Sequence, residues 1–414
     1  MNTTDIFAAA LNLPEPWSID NVEFKPDASG TMELHIGLSF PRGSKFVCPE
    51  CGAEATAYDT TPRIWRHLNF FQYKTYIHAN LPRVKCDEHG VKTVPVPWAR
   101  EGSGFTLLFE GWVVELAKHL PVATIAGMVD EHDTRLWRFI KHYVDEARSR
   151  EDYSDVTAIG IDETSKKGHN YVTVVVDLNQ RKVIYVTNGK DATTVDRFTK
   201  DFTAHKGTPE AIKVVTCDMS LGFKKGIDEH FINSSTVIDK FHVIKHINEA
   251  VDEVRREELR QDPRYKYLLN KTKYLWLKND ANLTDHQHER KESLLKKRLK
   301  TARAYTMRVT LQDIYELSTN RIEAEERLKQ LCSWISHSRL APMKKFGELL
   351  KKHWVEILNY FDHRYTNAIL EGTNSIIQNI KRRARGFRND EYFKTMIYLG
   401  CGKLDLGHHG ICPS

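Results

Sequence analysis

No apolar run in this chain approaches the roughly 18–20 residues that span a membrane. The N-terminal segment lacks the basic, apolar and small-residue pattern of a secretory signal, so we expect neither membrane insertion nor secretion. The chain has only seven cysteines, an odd number and mostly scattered. This usage argues against a disulfide framework and for a reducing cytoplasm. We also find no internal repeat, low-complexity segment or coiled-coil heptad.

The length and composition are those of a globular protein with several domains. The 414 residues are enough for two to four domains, and 41% hydrophobic with 28% charged residues is typical of chains with buried cores. The net charge of +6 is unevenly spread, because residues 264–303 contain 12 basic and 4 acidic residues, and residues 376–388 contain 5 basic and none acidic. Such local excess favours a polyanionic partner, although any single run could also be a solvated helix face.

Two short cysteine motifs predict a structural zinc site in residues 1–100. Cys48 and Cys51 precede Gly52, and Cys86 and His89 precede Gly90. The four side chains offer a tetrahedral ligand set for one Zn²⁺, and the glycines allow tight turns. The alternative is unmetallated buried cysteines with an exposed His89. The residues between the motifs include a basic and aromatic mixture that suits nucleic-acid contact, namely Arg63, Trp65, Arg66, His67, Tyr73, Lys74, Arg83 and Lys85.

Residues 101–150 have the periodicity of three helices, at 105–119, 121–129 and 134–144. The small residues Ala126 and Gly127 allow a tight helix crossing. We interpret this segment as a helix-turn-helix domain whose third helix enters a DNA major groove. Three-helix packing is also generic, so this signal is weak by itself. The third helix would present Arg135, Arg138, Lys141 and His142 to DNA.

From residue 151 onward the pattern becomes α/β. Three consecutive strands (158–162, 171–177, 182–187) precede a helix (193–204), a strand (212–217), a short helix (221–231), a strand (236–239) and a long helix (241–259). This is the order of an RNase H-like sheet. Residues 262–360 show only helical periodicity, which predicts an all-α insertion. We therefore divide the chain into 1–100, 101–150, a catalytic core at 151–260, an insertion at 261–360 and the end of the core at 361–414.

Acidic side chains at the edge of this predicted sheet suggest a metal site. Asp162 and Asp218 end apolar strands, where a carboxylate is costly unless it has a partner, and Glu371 lies on the returning helix. Three carboxylates form an oxygen cage that suits Mg²⁺ or Mn²⁺, and phosphoryl transfer on DNA uses two such ions. Asp162 is the best bridging ligand. Glu163 points to the opposite strand face, and Asp177 lies in a hairpin-turn context.

The helix that carries Glu371 has a polar and basic continuation. Asn374, Gln378 and Arg382 recur on roughly one helix face, which we expect to follow the DNA strand. The alternative for Glu371 is a stabilising position at a helix start. The basic residues expected to contact phosphates are Lys381, Arg382, Arg383, Arg385 and Arg388.

Taken in order, these motifs strongly resemble the DDE transposases of the ISL3 insertion-sequence family, over nearly the whole chain. The resemblance implies that Asp162, Asp218 and Glu371 are the metal-binding triad, and that Asp239 and His242 form a supporting D-x-x-H element. It also implies dimerisation, because two element ends must be paired. Two departures stand out. His89 replaces a common cysteine, and Gln378 replaces a frequent basic residue.

We therefore predict a bacterial, cytoplasmic and nucleoid-associated transposase that binds terminal inverted repeats. It would cleave DNA with Mg²⁺ or Mn²⁺ and join the freed 3′-hydroxyl to target DNA, without a covalent protein intermediate. The alternatives are a structure-selective nuclease on the same fold, or a non-catalytic DNA-binding regulator derived from a transposase. Trp334 in the insertion could stack on a base flipped from the cut strand, or it could be a helix-packing residue.

Overall fold

A computed structural model describes residues 3–167, 170–219, 221–261, 263–365 and 368–407. The chain divides into two compact units. The first runs to Arg148 and includes a short stretch from Asp405, and the second runs from Ser149 to Leu404. Among the helices of the described residues, none is long and apolar enough to cross a membrane.

The first unit contains a six-stranded sheet. One face is buried because apolar residues alternate along its strands, as Leu34, Ile36 and Leu38 do. The strand order is β1-β2-β5-β4-β3, with β6 paired to β5, and β2–β5 is the parallel pair. The elements are α1 (Thr3–Leu11), β1 (Ser18–Pro26), β2 (Met32–Ser39), β3 (Lys45–Val47), β4 (Glu54–Phe70), β5 (Tyr73–Cys86) and β6 (Gly90–Thr93).

Three helices complete the first unit: α2 (Leu107–His119), α3 (Val122–Val129) and α4 (Asp133–Ser149). A buried carboxylate, which no motif of the sequence indicates, links the first of these helices to the third. Glu110 accepts hydrogen bonds from Arg100 (2.9 and 3.1 Å), Ser103 (2.6 Å) and Tyr143 (2.6 Å). Because Tyr143 lies on α4 and Glu110 on α2, this network fixes the third helix against the first.

The second unit contains a five-stranded sheet in the order β11-β10-β7-β8-β9. Strands β7, β8 and β9 are antiparallel neighbours, whereas β10 and β11 run parallel to β7. The elements are β7 (Ala158–Lys167), β8 (Asn170–Asp177), β9 (Lys182–Asn188), α5 (Ala192–Ala204), β10 (Val214–Cys217), α6 (Leu221–His230), β11 (Ser235–Ile238) and α7 (Lys240–Gln261).

The described residues between 263 and 363 form helices, as the sequence predicted for the insertion. Their core includes Trp276, Leu311 and Leu328, and it is continuous with the α7 side of the sheet through Val243 and Ile247. The helices from Pro263 to the end of the unit are α8 (Pro263–Leu269), α9 (Lys273–Leu277), α10 (Asp285–Leu295), α11 (Lys300–Leu317), α12 (Arg321–His337), α13 (Ala341–Lys352), α14 (Trp354–His363), α15 (Ala368–Arg383) and α16 (Asp390–Cys401).

Alternation along the central strands separates two cores. Ile159 and Val215 point into the core that α5 and α6 cover, whereas Ala158 and Val214 point to the α7 side. One expectation about β7 was wrong. Asp162 does not end the strand, because antiparallel pairing with β8 carries β7 on to Lys167 after β10 has ended.

Candidate functional sites

The first candidate site is the predicted metal centre, which is formed by the turn between β3 and β4 and by the end of β5 with the turn that follows it. The ligand atoms of Cys48, Cys51, Cys86 and His89 all lie within 4.8 Å of one another. Cys86 Sγ lies 3.6 Å from both Cys51 Sγ and His89 Nδ1. A tetrahedron with Zn–S bonds of about 2.3 Å has corners about 3.8 Å apart. The four residues therefore fit a single Zn²⁺, and with four protein ligands such a site is structural.

Local backbone geometry prepares these ligands. Gly52 and Gly90 have φ of +72° and +70°, so both turns use the left-handed region that glycine favours. Backbone N–H groups of Cys51 and Glu50 donate to the Cys48 thiol and lower its pKa, which favours the thiolate that binds metal. Glu50 Oε2 also lies 3.5 Å from His89 Nε2, which leaves Nδ1 directed toward the sulfur ligands.

The structure corrects the interpretation of the residues between the two cysteine motifs. Trp65 and Arg66 are only 4% and 2% exposed, so neither can contact a nucleic acid. Arg66 instead donates to Asn69 Oδ1 (2.5 Å) and to the Thr75 carbonyl (3.3 Å). Arg83 donates to Asp59 (2.6 Å), so its charge is already paired. A basic and aromatic composition was insufficient to predict a surface here, because strand alternation decides which side chains are buried.

The three helices α2, α3 and α4 confirm the predicted trihelical unit within the first unit. Thr106 caps α2 by accepting a hydrogen bond from the N–H of Phe109. On α4, Arg138 is exposed, whereas Lys141 pairs with Asp145 at 2.5 Å and Arg135 with Glu131. The guanidinium of Arg135 also lies 4.4 Å from the ring centroid of Phe105. DNA contact by these three cations stays a prediction.

The second candidate site lies where β10 ends beside β7. Val214 pairs with Ala158 and Thr216 with Gly160 in parallel register. Continuing that register places Asp218, which directly follows β10, beside Asp162, on strands about 4.8 Å apart. Asp162 lies two residues after Gly160, and Asp218 lies two residues after Thr216, the partner of Gly160. Both side chains therefore point to the same face of the sheet as position 160.

The environment of Asp162 is unfavourable for its charge. The pKa of this carboxyl is raised to about 6, mainly by burial and to a smaller extent by the neighbouring charge of Asp218. Two hydrogen bonds oppose the rise, from the backbone N–H of Glu163 (2.8 Å) and from Asn374 Nδ2 (2.6 Å). A partly buried carboxylate beside a second carboxylate is the arrangement that a bound cation stabilises.

Helix α15 lies along β7 on that same face. A Cβ built on Gly160 would lie 2.9 Å from Leu370 Cδ1, so the missing side chain allows the helix to approach. One turn further on, Asn374 bonds to Asp162. Four helical residues advance about 6 Å and two strand residues about 6.6 Å, so the helix and the strand stay in step.

The next turns of α15 continue this contact. Gln378 Nε2 donates to Thr164 Oγ1 (2.7 Å), and Lys381 Nζ donates to the carbonyl of Ser165 (2.7 Å). The face with Asn374 and Gln378 therefore lies against β7. The sequence predicts that this face follows the DNA strand, but the structure corrects that prediction for these two side chains, which hydrogen-bond to β7. A glutamine at 378 suits a hydrogen bond to a threonine.

Glu371 lies in the first turn of α15, three residues before Asn374, and its side chain is exposed. Its helix is thus fixed to Asp162. The carboxylates of Asp162, Asp218 and Glu371 lie farther apart than the zinc ligands. Within the described residues, these three acids do not form a group whose ligating atoms all lie within 4.8 Å of one another. Glu163 has the opposite parity on β7 and lies 3.9 Å from Lys190.

The D-x-x-H element is adjacent to these acids. Asp239 is buried and precedes α7, where its Oδ1 accepts a hydrogen bond from the N–H of Phe241 (2.9 Å). Burial lowers the pKa of His242, whereas Asp218 and Asp162 act to raise it. The capped helix start therefore holds the His242 imidazole within electrostatic range of both acids. Asp177 has the expected turn role, because its Oδ1 accepts from the N–H groups of Asn179 and Gln180.

The remaining predicted DNA contacts are surface side chains in the described structure. Arg382, Arg383, Arg385 and Arg388 are exposed, and Arg382 also donates to Asn379 (3.2 Å). Trp334 is 40% exposed on α12, while its neighbours Leu331 and Ile335 are buried in the insertion core. It is not a core residue of that helix. Phosphate contact and base stacking by these residues stay predictions.

Comparison with known proteins identifies the class of this protein. A family model described as a transposase, the DDE domain of the ISL3 group, matches residues 159–397. Models for the helix-turn-helix domain of transposase family ISL3 and for the zinc finger of transposases IS204/IS1001/IS1096/IS1165 match residues 94–144 and 44–89. The protein is therefore a transposase with a zinc-ribbon and a helix-turn-helix domain.

More particularly, the chain belongs to the ISL3 transposase family. It is 27% identical over 432 residues to the transposase for insertion sequence element IS1557 of Mycobacterium tuberculosis, with 96% of each chain covered. It is 28% identical over 393 residues to the transposase for insertion sequence element IS1001 of Bordetella parapertussis, with 92% of this chain and 94% of that protein covered. These matches confirm the family predicted from the motifs.

Proposed function

We propose that this transposase cleaves and joins DNA at Asp162, Asp218 and Glu371 with two Mg²⁺ or Mn²⁺ ions. The observation that carries the proposal is the parallel register that sets Asp218 beside Asp162, on a face along which the Glu371 helix is docked. The strand order also supports an RNase H-like fold, because three antiparallel strands are extended by two parallel strands on the far side of β7.

Each residue has a distinct task in this proposal. The bound ions would activate the attacking oxygen and stabilise the leaving oxygen of the phosphodiester. Asp162 would hold the ions together with the other two acids, and Asn374 donates to one of its oxygens, so the carboxylate keeps a fixed orientation. Asp218 binds from the neighbouring strand. The exposed side chain of Glu371 closes the cage from α15, and His242 lies within electrostatic range of both aspartates.

Recognition of the substrate falls to other parts of the chain. We propose that the zinc-ribbon and helix-turn-helix domains bind the terminal inverted repeats, with α4 entering the major groove. The exposed arginines in the last turn of α15 and after it would contact phosphates near the cut strand. Two copies of the chain would pair the two element ends, and the protein would act on the nucleoid.

The test uses the purified chain and labelled DNA that carries the ends of its own element, in Mg²⁺ or Mn²⁺. We expect Asp162→Ala, Asp218→Ala and Glu371→Ala to lose cleavage and joining while they retain DNA binding. Glu163→Gln is a matched control, because it removes the neighbouring acid on the opposite strand face. Retained cleavage in the three alanine variants would overturn the triad. Loss in Glu163→Gln with retention in Glu371→Ala would make Glu163 the third ligand.

The same assay distinguishes the two alternatives. Cleavage without joining, and with little preference for element ends, would indicate a structure-selective nuclease. Strong sequence-specific binding without metal-dependent cleavage would indicate a non-catalytic regulator.

A further inference from the structure

Residues 263–278, at the start of the insertion, contain five basic residues and no acidic one. Leu269, Leu275 and Trp276 anchor this segment in the insertion core. Two tyrosines point the other way, since Tyr267 is 89% exposed and Tyr274 is 63% exposed. A buried apolar side opposite an exposed cationic and aromatic side is expected of a surface that binds nucleic acid.

The segment forms one wall of an open groove of about 500 Å³. The side chains that line this groove are Lys266, Tyr267, Asn270, Lys271 and Arg290. None of these five described residues is acidic, so three cations converge without a carboxylate in the lining. Arg290 Nη2 donates to the backbone carbonyl of Asn270 (3.3 Å), which ties α10 to the turn between α8 and α9. The groove is therefore built from fixed elements.

A second groove, of about 350 Å³, runs along α7 from Phe241 toward Lys273 of this segment. Phe241 and Lys245 line it next to His242, and Arg256 and Lys273 line it further along. The two acids that also line it are already paired. Asp252 lies 2.7 Å from Arg255, and Glu249 lies 3.3 Å from His246.

The length of α7 gives the approximate distance between His242, next to the two aspartates, and the end of α8, where the first groove lies. Arg255 Nη1 donates to the carbonyl of Leu269 (3.5 Å), which fixes the end of α8 against α7. Arg255 is about 20 Å along α7 from His242, at 1.5 Å per residue. With 3.4 Å between successive phosphates of one strand, this distance corresponds to about six base pairs of duplex.

We propose that Lys266, Lys271 and Arg290 form a second DNA-binding site, which takes the phosphate backbone of duplex DNA about six base pairs from the cleaved bond, with Tyr267 packed against it. This site rests on the proposed function, because its position is defined relative to Asp162 and Asp218. Phosphates bound at this site would reduce the electrostatic repulsion among the three cations.

The experiment measures binding of the full chain to fluorescent duplexes carrying an element end, over a series of salt concentrations. We expect the combined variant Lys266→Gln, Lys271→Gln and Arg290→Gln to bind at least about ten-fold more weakly near 0.1 M salt. The slope of log Kd against log salt should fall by about 2 to 3, at about 0.9 per lost phosphate contact. Lys266→Gln alone should lower the slope by about 0.9. Tyr267→Ala should weaken binding without changing the slope.

The control variant is Lys296→Gln, Lys297→Gln and Lys344→Gln, which removes three exposed cations of the insertion that line neither groove. Its slope should fall by less than about 1. Duplexes that end about 3 or about 12 base pairs beyond the cut, on each side in turn, locate the contact. Truncation of the duplex on one side should give the wild type and the combined variant the same affinity and the same salt slope.

Wild-type affinity and slope in the combined variant would overturn the proposal, as would a deficit that survives truncation on both sides. Failure of the proposed function is recognised separately, because in that case the wild type itself does not cleave element ends in Mg²⁺ or Mn²⁺.

Discussion

Asp162→Asn should stabilise the metal-free protein while it abolishes cleavage. In the folded protein, burial and Asp218 raise the pKa of Asp162 to about 6, from 3.8. Below pH 3.8 the carboxyl is protonated in both the folded and the unfolded chain. Between pH 3.8 and about 6 the folded chain retains a proton that the unfolded chain releases, so the free energy of unfolding decreases as the pH rises. Above pH 6 the loss is complete, at roughly 3 kcal/mol.

Asparagine removes this loss because it is neutral and nearly isosteric. Its oxygen can keep the hydrogen bond from the Glu163 N–H, and its amide can donate to Asn374 after the Asn374 amide flips. Calorimetry in EDTA at pH 7.5 should show a higher melting temperature for the Ser149–Leu404 unit, by about 2–4 °C per kcal/mol. The wild type alone should be stabilised by added Mg²⁺.

Asp313→Asn is the control, because this carboxylate is exposed on α11 in the same unit. It should change the stability by less than about 0.5 kcal/mol. Two results together would refute the argument that the charge of Asp162 destabilises the metal-free protein. Asp162→Asn would be no more stable than the wild type at pH 7.5, and its free energy of unfolding would still decrease between pH 4 and 6 as in the wild type.

Three further predictions concern other parts of the structure. Cys86→Ser should lower the zinc content, measured by mass spectrometry, below one ion per chain and reduce the melting temperature of the first unit, whereas full zinc would exclude Cys86 as a ligand. Glu110→Leu should destabilise that unit by about 3–5 kcal/mol in urea unfolding, because it leaves the Arg100 guanidinium without its buried partner; Glu115→Leu, at an exposed site of α2, should not. Gly160→Val should push Leu370 and α15 away from β7, so cleavage should fall at least about ten-fold with unchanged binding to element ends, and equal activity would show that this close approach is dispensable.

Local sequence signals predicted several features well. The two cysteine motifs, each followed by glycine, identified four zinc ligands that the structure brings together. Hydrophobic periodicity located the predicted strands and helices between residues 158 and 259 to within five residues, and it predicted that residues 262–360 are helical. These signals succeed because the ligands, turns and amphipathic faces are encoded over a few consecutive residues.

The burial of charged residues was harder to predict. The sequence suggested that Arg66 and Trp65 would face a nucleic acid, but both are buried. Neither the Glu110 network nor the pairing of Lys381 with the Ser165 carbonyl carried a local signal. The contacts of Glu110 with Tyr143 and of Lys381 with Ser165 join elements that are 33 and 216 residues apart along the chain, so no local pattern indicates them.

The sequence by itself determined the family and indicated the four zinc ligands, and it predicted which acids form the second metal site, because motif order and residue type carry that information. Only the tertiary structure decided how the acids relate to one another. The parallel register of β10 on β7 sets Asp218 beside Asp162, and the gap at Gly160 allows α15 to place Asn374 on the same carboxylate. Register and helix docking depend on packing between elements that are distant in the chain, so no local pattern of residues specifies them.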